Sequence, residues 1–125
     1  MVFALAVLAA RFGLWATGVR ICVHGLDHLD DGRSYLFMPN HTSNVDPPVV
    51  VAALGRDVSM MGKESLFRIP VFGWAIRFVG FVPISREDRA SAIDSVDQAT
   101  KLLQQGLDFV IFPEGTRSRG GKILP

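Results

Sequence analysis

The chain has 125 residues with a net charge of +1, and 49% of them are hydrophobic, which allows at most one domain with a packed core. This charge gives no basis for binding nucleic acid, so any anion site must come from locally clustered cations. Cys22 is the only cysteine, which excludes an internal disulfide and favours a reducing, cytosol-facing location. Within its apolar run, Cys22 is predicted to be a small buried hydrophobic residue.

The N-terminal segment is apolar from Val2 to Ala10, is interrupted by Arg11 and then continues to Arg20. It is borderline for crossing a bilayer, which takes about 20 mostly apolar residues. An arginine within the segment and Trp15 near its end are typical of a helix that lies in the membrane interface. Residues 1–18 are therefore predicted to form a membrane-associated apolar helix, with a buried core helix as the alternative.

Short apolar runs alternate with helical patterns through the rest of the chain. Strands are predicted over residues 19–24, 34–38, 58–61, 81–84 and 108–112. Helices are predicted over residues 46–54, 64–79 and 88–105. Asp46 is predicted to cap the first helix and Pro70 to kink or break the second. Pro83 is predicted to place its strand at a sheet edge or to make its pairing irregular. The alternation predicts an α/β layered domain over residues 19–125, with a largely parallel or mixed sheet flanked by helices.

Polar and charged residues follow the predicted strands. They are His41 and Asp46, Lys63, Arg86, and the segment Glu114, Gly115, Thr116 and Arg117. Since ligands of open parallel sheets bind beyond the carboxyl ends of the strands, these residues are expected to meet at one edge of the sheet.

His41 and Asp46 suit a general base and the carboxylate that orients it. Their five-residue separation fits a loop that runs into the start of a helix. Taken alone the pair is a weak signal, because Asp46 could serve only as a helix cap and His41 as an ordinary loop histidine.

The segment 112–118 is more specific. Gly115 permits close backbone approach, Thr116 offers a hydroxyl, and Arg117 offers a planar fork that suits phosphate. An ordinary turn with a solvated arginine is the alternative. The other cations of the predicted phosphate site are Lys63 and Arg86, and each has the same alternative of a solvated surface charge.

Four segments occur in the order seen in one enzyme family. They are Asn40-His41 with Asp46, Lys63-Glu64 leading to Pro70–Gly73, Gly80–Arg86, and Phe112–Ser118. Over residues 19–125 the chain resembles the glycerolipid acyltransferases, in particular those that act on 1-acyl-glycerol-3-phosphate.

The resemblance implies a cofactor-free, metal-free acyl transfer at the cytoplasmic face of a membrane. His41, oriented by Asp46, would deprotonate the free hydroxyl of a lysophosphatidic-acid-like acceptor. The alkoxide would then attack the thioester of acyl-CoA or acyl-carrier protein and give phosphatidic acid. Arg86 and Arg117, with Lys63 as a helper, would hold the acceptor phosphate. The residues of the third motif that would shape acceptor binding are Glu114, Gly115 and Thr116.

Two further expectations concern apolar surface. Residues 66–82 carry many large apolar side chains, which are either core or, as the resemblance implies, a surface near the entry of acyl chain and lysolipid. The family also has an apolar, proline-containing strand downstream of the third motif. That strand would lie past Pro125, so the chain is expected to lack the C-terminal part of the domain and to fold or act weakly alone.

Other functions remain open at this point. They are acyl transfer to or between other lysolipids, a metal-dependent hydrolase with His41 and Asp46 as ligands, and a non-catalytic membrane lipid-binding module. The hydrolase would need a third ligand. A serine hydrolase is disfavoured because the sequence has no Gly-x-Ser-x-Gly turn.

Overall fold

The computed structural model describes residues 2–85 and 89–113. The chain divides into two compact units. The described residues of the first are 2–33, 38–56 and 112–113, and those of the second are 34–37, 57–85 and 89–111. The predicted division into residues 1–18 and 19–125 stays a prediction.

In the first unit, helix α1 (Val2–Ala16) packs against helix α2 (Asp46–Leu54). Leu14 of α1 and Val51 of α2 are among the buried side chains. Arg11 lies in this contact, because its Nε donates a hydrogen bond to the Ala52 carbonyl at 3.2 Å. The charge that interrupts the apolar run therefore helps to join the two helices.

The other face of α1 is apolar and exposed. Its large side chains, between 61% and 75% exposed, are Leu5, Leu8, Phe12 and Trp15. Their spacing of three or four residues places them on one side of the helix. The alternative of a core helix is therefore wrong for this face. Among the described residues, we find no helix with both the length and the hydropathy needed to cross a bilayer.

In the described part of the chain, the second unit is built on a four-stranded sheet. Its strands are β1 (Leu36–Phe37), β2 (Val58–Lys63), β3 (Val82–Ile84) and β4 (Asp108–Val110). The order is β1-β4-β2-β3, and every pair is parallel. This agrees with the predicted parallel sheet, and Pro83 lies on an edge strand of the described sheet, as expected.

Helices α3 (Phe72–Phe78) and α4 (Arg89–Gln104) belong to this second unit. Helix α4 packs against β2, β3 and β4 and contributes Ala99 to a core cluster with Val82 and Phe109. Polar groups in this core are satisfied. The Ser95 hydroxyl donates to the Pro83 carbonyl at 3.0 Å, and the Asp108 carboxylate accepts the Tyr35 amide at 2.8 Å.

Two predicted strands differ in the structure. Residues 19–24 have irregular backbone, and the strand predicted over residues 34–38 is reduced to Leu36–Phe37. An apolar run forms a strand only where another strand pairs with it, and no such partner lies beside residues 19–24 in the described part of the chain. Cys22, in this irregular segment, is exposed, so its predicted burial is wrong.

The apolar stretch 66–82 is neither one helix nor all core. A 3-10 helix (Glu64–Arg68) precedes α3, and the predicted break at Pro70 falls between them. Phe67 and Ile76 are buried, whereas other large apolar side chains are exposed: Ile69, Val71, Phe72, Trp74 and Phe78. The Trp74 and Phe78 rings stack at 5.4 Å on the exposed side of α3. The core alternative therefore holds only for part of this stretch.

Candidate active site

His41 and Asp46 are in direct contact, as their spacing predicted. The His41 Nδ1 atom lies 2.9 Å from the Asp46 Oδ2 atom. Both side chains are mostly shielded from solvent, with 17% of His41 and 21% of Asp46 exposed. A carboxylate held against an imidazole at this distance fixes the direction of the ring.

The loop before α2 encloses the same carboxylate oxygen. The backbone amides of Thr42 and Ser43 donate to Asp46 Oδ2 at 2.6 and 2.7 Å. The Ser43 hydroxyl accepts the Val45 amide at 3.2 Å, which further fixes the turn. Asp46 is the first residue of α2, and Val45 occupies the N-cap position. The predicted helix cap is therefore wrong, because the carboxylate turns back to the loop and not to the first-turn amides.

These contacts set the protonation state of Asp46 and the tautomer of His41. Burial on its own would raise the pKa of the Asp46 carboxyl, but hydrogen bonds from the Ser43 amide, the His41 ring and the Thr42 amide hold that pKa below its ordinary value. Asp46 is therefore ionised at neutral pH and can only accept hydrogen bonds. His41 Nδ1 must then carry a proton, so in the neutral imidazole Nε2 is the atom with the basic lone pair.

Phe112 covers one face of the His41 imidazole. The two ring centroids lie 4.4 Å apart with an interplanar angle of 33°. Sequence reasoning assigned no role to Phe112, although it is the first residue of the 112–118 segment. The Thr42 and Ser43 amides were also missed, because backbone donors leave no signal in side-chain identity.

The other predicted site residues divide into two groups. Lys63 is exposed at the carboxyl end of β2, in the second unit. Arg86 and the segment Glu114, Gly115, Thr116 and Arg117 lie outside the described residues. The structure thus brings together His41 and Asp46 of the predicted set, and adds Phe112. Within the described residues, no group of three His, Cys, Asp or Glu residues could hold a metal ion.

Comparison with known proteins identifies the protein family. A model of the acyltransferase family matches residues 20–125, so the chain belongs to the acyltransferase family, as its resemblance predicted.

Individual relatives match most of this chain. The 1-acyl-sn-glycerol-3-phosphate acyltransferase of Borreliella burgdorferi is 31% identical over 111 residues, covering 89% of this chain and 44% of that protein. A chloroplastic protein of the same name from Arabidopsis thaliana is 33% identical over 105 residues, covering 83% of this chain and 29% of that protein. The crystal structure of the 1-acyl-sn-glycerophosphate acyltransferase PlsC from Thermotoga maritima superposes with a TM-score of 0.82 at 27% identity, covering 98% of this chain and 48% of that one. The chain spans less than half the length of each of these proteins.

Proposed function

We propose that the chain transfers a fatty acyl group from an acyl thioester to the free hydroxyl of 1-acyl-glycerol-3-phosphate, with His41 as the general base. The contact between His41 Nδ1 and Asp46 Oδ2, within a chain of the acyltransferase family, carries this proposal. The relatives described above are named for the same acceptor, which supports it.

Each step of the proposed reaction has a defined proton path. His41 Nε2 takes the proton of the acceptor hydroxyl while the hydroxyl oxygen attacks the thioester carbonyl carbon. Asp46 stabilises the His41 imidazolium that forms. The tetrahedral intermediate collapses by breaking the carbon–sulfur bond, and the imidazolium returns the proton to the thiolate. The acyl group passes directly to the acceptor, with neither an acyl-enzyme nor a cofactor. General-base help of this kind contributes about 10²–10⁴-fold.

The acceptor phosphate needs fixed cations. We propose that Arg86 and Arg117 bind it, with Lys63 as a helper, because guanidinium groups match the geometry of phosphate oxygens. Glu114, Gly115 and Thr116 would shape the same acceptor site. The donor is acyl-CoA or acyl-carrier protein, and another lysolipid as acceptor is the alternative to 1-acyl-glycerol-3-phosphate.

The proposed acceptor is itself a membrane lipid, and we propose that the chain works at the cytoplasmic face of a membrane. The exposed apolar face of α1 and the stacked Trp74 and Phe78 of α3 support membrane contact. Aromatic and aliphatic side chains of this kind favour the bilayer interface. A chain whose single cysteine forms no internal disulfide suits the cytosolic side.

The His41→Ala substitution tests the reaction. Release of free thiol from the acyl donor should fall by at least about 10²-fold, while binding of the lysolipid acceptor should be largely kept. His28→Ala, which changes an exposed histidine of the first unit, is the matched control. Near wild-type turnover in His41→Ala would refute the mechanism. Acceptor binding without thiol release in the wild-type protein would favour a non-catalytic lipid-binding module.

A further inference from the structure

The structure assigns a further role next to the base: we propose that Phe112 is a positioning residue that holds the His41 imidazole in its reactive orientation and stabilises its protonated form. This inference rests on the proposed function, because it gives Phe112 a role only if His41 is the base.

The orientation of His41 is limited from two sides. Asp46 holds the ring edge through Nδ1, and Phe112 packs on one ring face with the centroids 4.4 Å apart. A rotation of the imidazole about its Cβ–Cγ bond would break the hydrogen bond and drive the ring into Phe112. The hydrogen bond alone would still allow the ring to tilt about the Nδ1–Oδ2 direction, and the phenyl ring restricts that tilt. Together the two contacts fix where Nε2 lies.

The phenyl face also acts on charge. An aromatic ring carries partial negative charge on its face, so it attracts a cation placed over that face. His41 becomes a cation when it takes the acceptor proton, and only 17% of its side chain is exposed to water that could otherwise solvate this charge. Phe112 therefore favours the transition state more than the ground state, which is the condition for raising kcat.

The position of Phe112 distinguishes it from an ordinary core residue. Val110, the last residue of β4, has no exposed surface, whereas Phe112 is only half-buried. Its aromatic contact in the described part of the chain is with His41. Phe112 also directly precedes Pro113, which disfavours a helical backbone at Phe112.

Two substitutions separate the effect of the aromatic ring of Phe112 from the effect of the volume of its side chain. Phe112→Leu keeps a large apolar side chain but removes the aromatic face, and Phe112→Tyr keeps that face. We expect kcat to fall by about 5- to 30-fold in Phe112→Leu, with the KM for the acceptor within about twofold of wild type. Phe112→Tyr should retain most of kcat, and the thermal unfolding midpoints of both variants should match that of wild type.

Proton NMR of the His41 ring reports the contact without relying on catalysis. The His41 ring protons, identified by their absence in His41→Ala, should be shifted by the Phe112 ring current in wild type and in Phe112→Tyr. That shift should be lost in Phe112→Leu. An unchanged kcat in Phe112→Leu, equal losses in the Leu and Tyr variants, or an unchanged His41 spectrum in Phe112→Leu would each overturn the assignment.

The same experiments distinguish failure of this inference from failure of the proposed function. If His41→Ala abolishes turnover and Phe112→Leu leaves kcat intact, only the role of Phe112 is refuted. If His41→Ala keeps turnover, both the proposed function and the catalytic role of Phe112 are refuted. The NMR measurement then still decides whether Phe112 fixes the ring.

Discussion

His41 and Asp46 meet through a single carboxylate oxygen. The Oδ2 atom of Asp46 accepts the His41 Nδ1–H and also the backbone amides of Thr42 and Ser43. The amides hold the carboxylate in place, and the carboxylate in turn holds the imidazole. The position of the proposed base is thus set, through Asp46, by the backbone amides of its own loop.

Asp46→Asn should lower turnover strongly while keeping the fold. The amide oxygen can still accept hydrogen bonds, but it carries no charge to stabilise the imidazolium. We expect kcat to fall by about 10²–10⁴-fold, measured by thiol release at saturating substrates. Asp30→Asn, which changes an exposed carboxylate 3.6 Å from Arg33 in the same unit, is the control and should keep kcat. A turnover in Asp46→Asn equal to that of Asp30→Asn would contradict the orienting role.

The low pKa of Asp46 should make its contribution to stability depend on pH. Burial opposes ionisation, but the three donors outweigh it and hold the folded-state pKa below that of the unfolded chain. A depressed pKa stabilises the folded state above the unfolded pKa of about 4, and this stabilisation is lost as the pH falls through the folded-state pKa. The difference in free energy of unfolding between wild type and Asp46→Asn should therefore shrink from about pH 6 to about pH 3 in urea titrations. A difference that stays constant would show that the pKa is not lowered.

The elements that depend on a local sequence pattern could be predicted from the sequence. The apolar run at Phe109 was correctly predicted as a buried strand, and the break at Pro70 was also predicted correctly. The run at residues 19–24 also contains β-branched residues but forms no strand, because pairing depends on neighbours that are distant in the chain. The contact between Phe112 and His41 is missing from the prediction for the same reason. The five-residue spacing of His41 and Asp46 did predict their contact, since a loop entering a helix brings such positions together.

Arg117→Ala should weaken binding of the acceptor more than it slows the reaction. It removes a charge-assisted contact proposed for the phosphate, so the KM for the phosphorylated acceptor should rise by about tenfold or more. Monoacylglycerol, which lacks the phosphate, provides the matched substrate, and its slow reaction should be unaffected. Arg56→Ala is the control variant, because its guanidinium binds Asp31 at 2.9 Å. An equal KM for wild type and Arg117→Ala would remove Arg117 from the phosphate site.

The exposed face of α1 should contribute to membrane binding. Phe12→Ser combined with Trp15→Ser removes two large apolar side chains from this face, and we expect binding to vesicles of phosphatidylcholine and phosphatidic acid to weaken by about tenfold or more in flotation assays. Ile93→Ser with Val96→Ser is the control, since both residues are 54% exposed on α4 of the other unit. Equal losses for the two double variants would show that apolar exposure in general, and not the α1 face, governs binding.

Gly73 should tolerate no side chain, because it touches the backbone of the preceding 3-10 helix. A Cβ atom at Gly73 would lie 2.2 Å from the Phe67 carbonyl oxygen, so Gly73→Ala would force α3 away from the 3-10 helix. We expect a loss of about 1–3 kcal/mol in the free energy of unfolding. Gly13→Ala is the matched control, since a Cβ there meets nothing within 4 Å and alanine is the better helix former. In urea titrations, the free energy of unfolding should fall in Gly73→Ala and rise in Gly13→Ala. A Gly73→Ala variant as stable as Gly13→Ala would show that α3 does not pack closely on the backbone of Phe67.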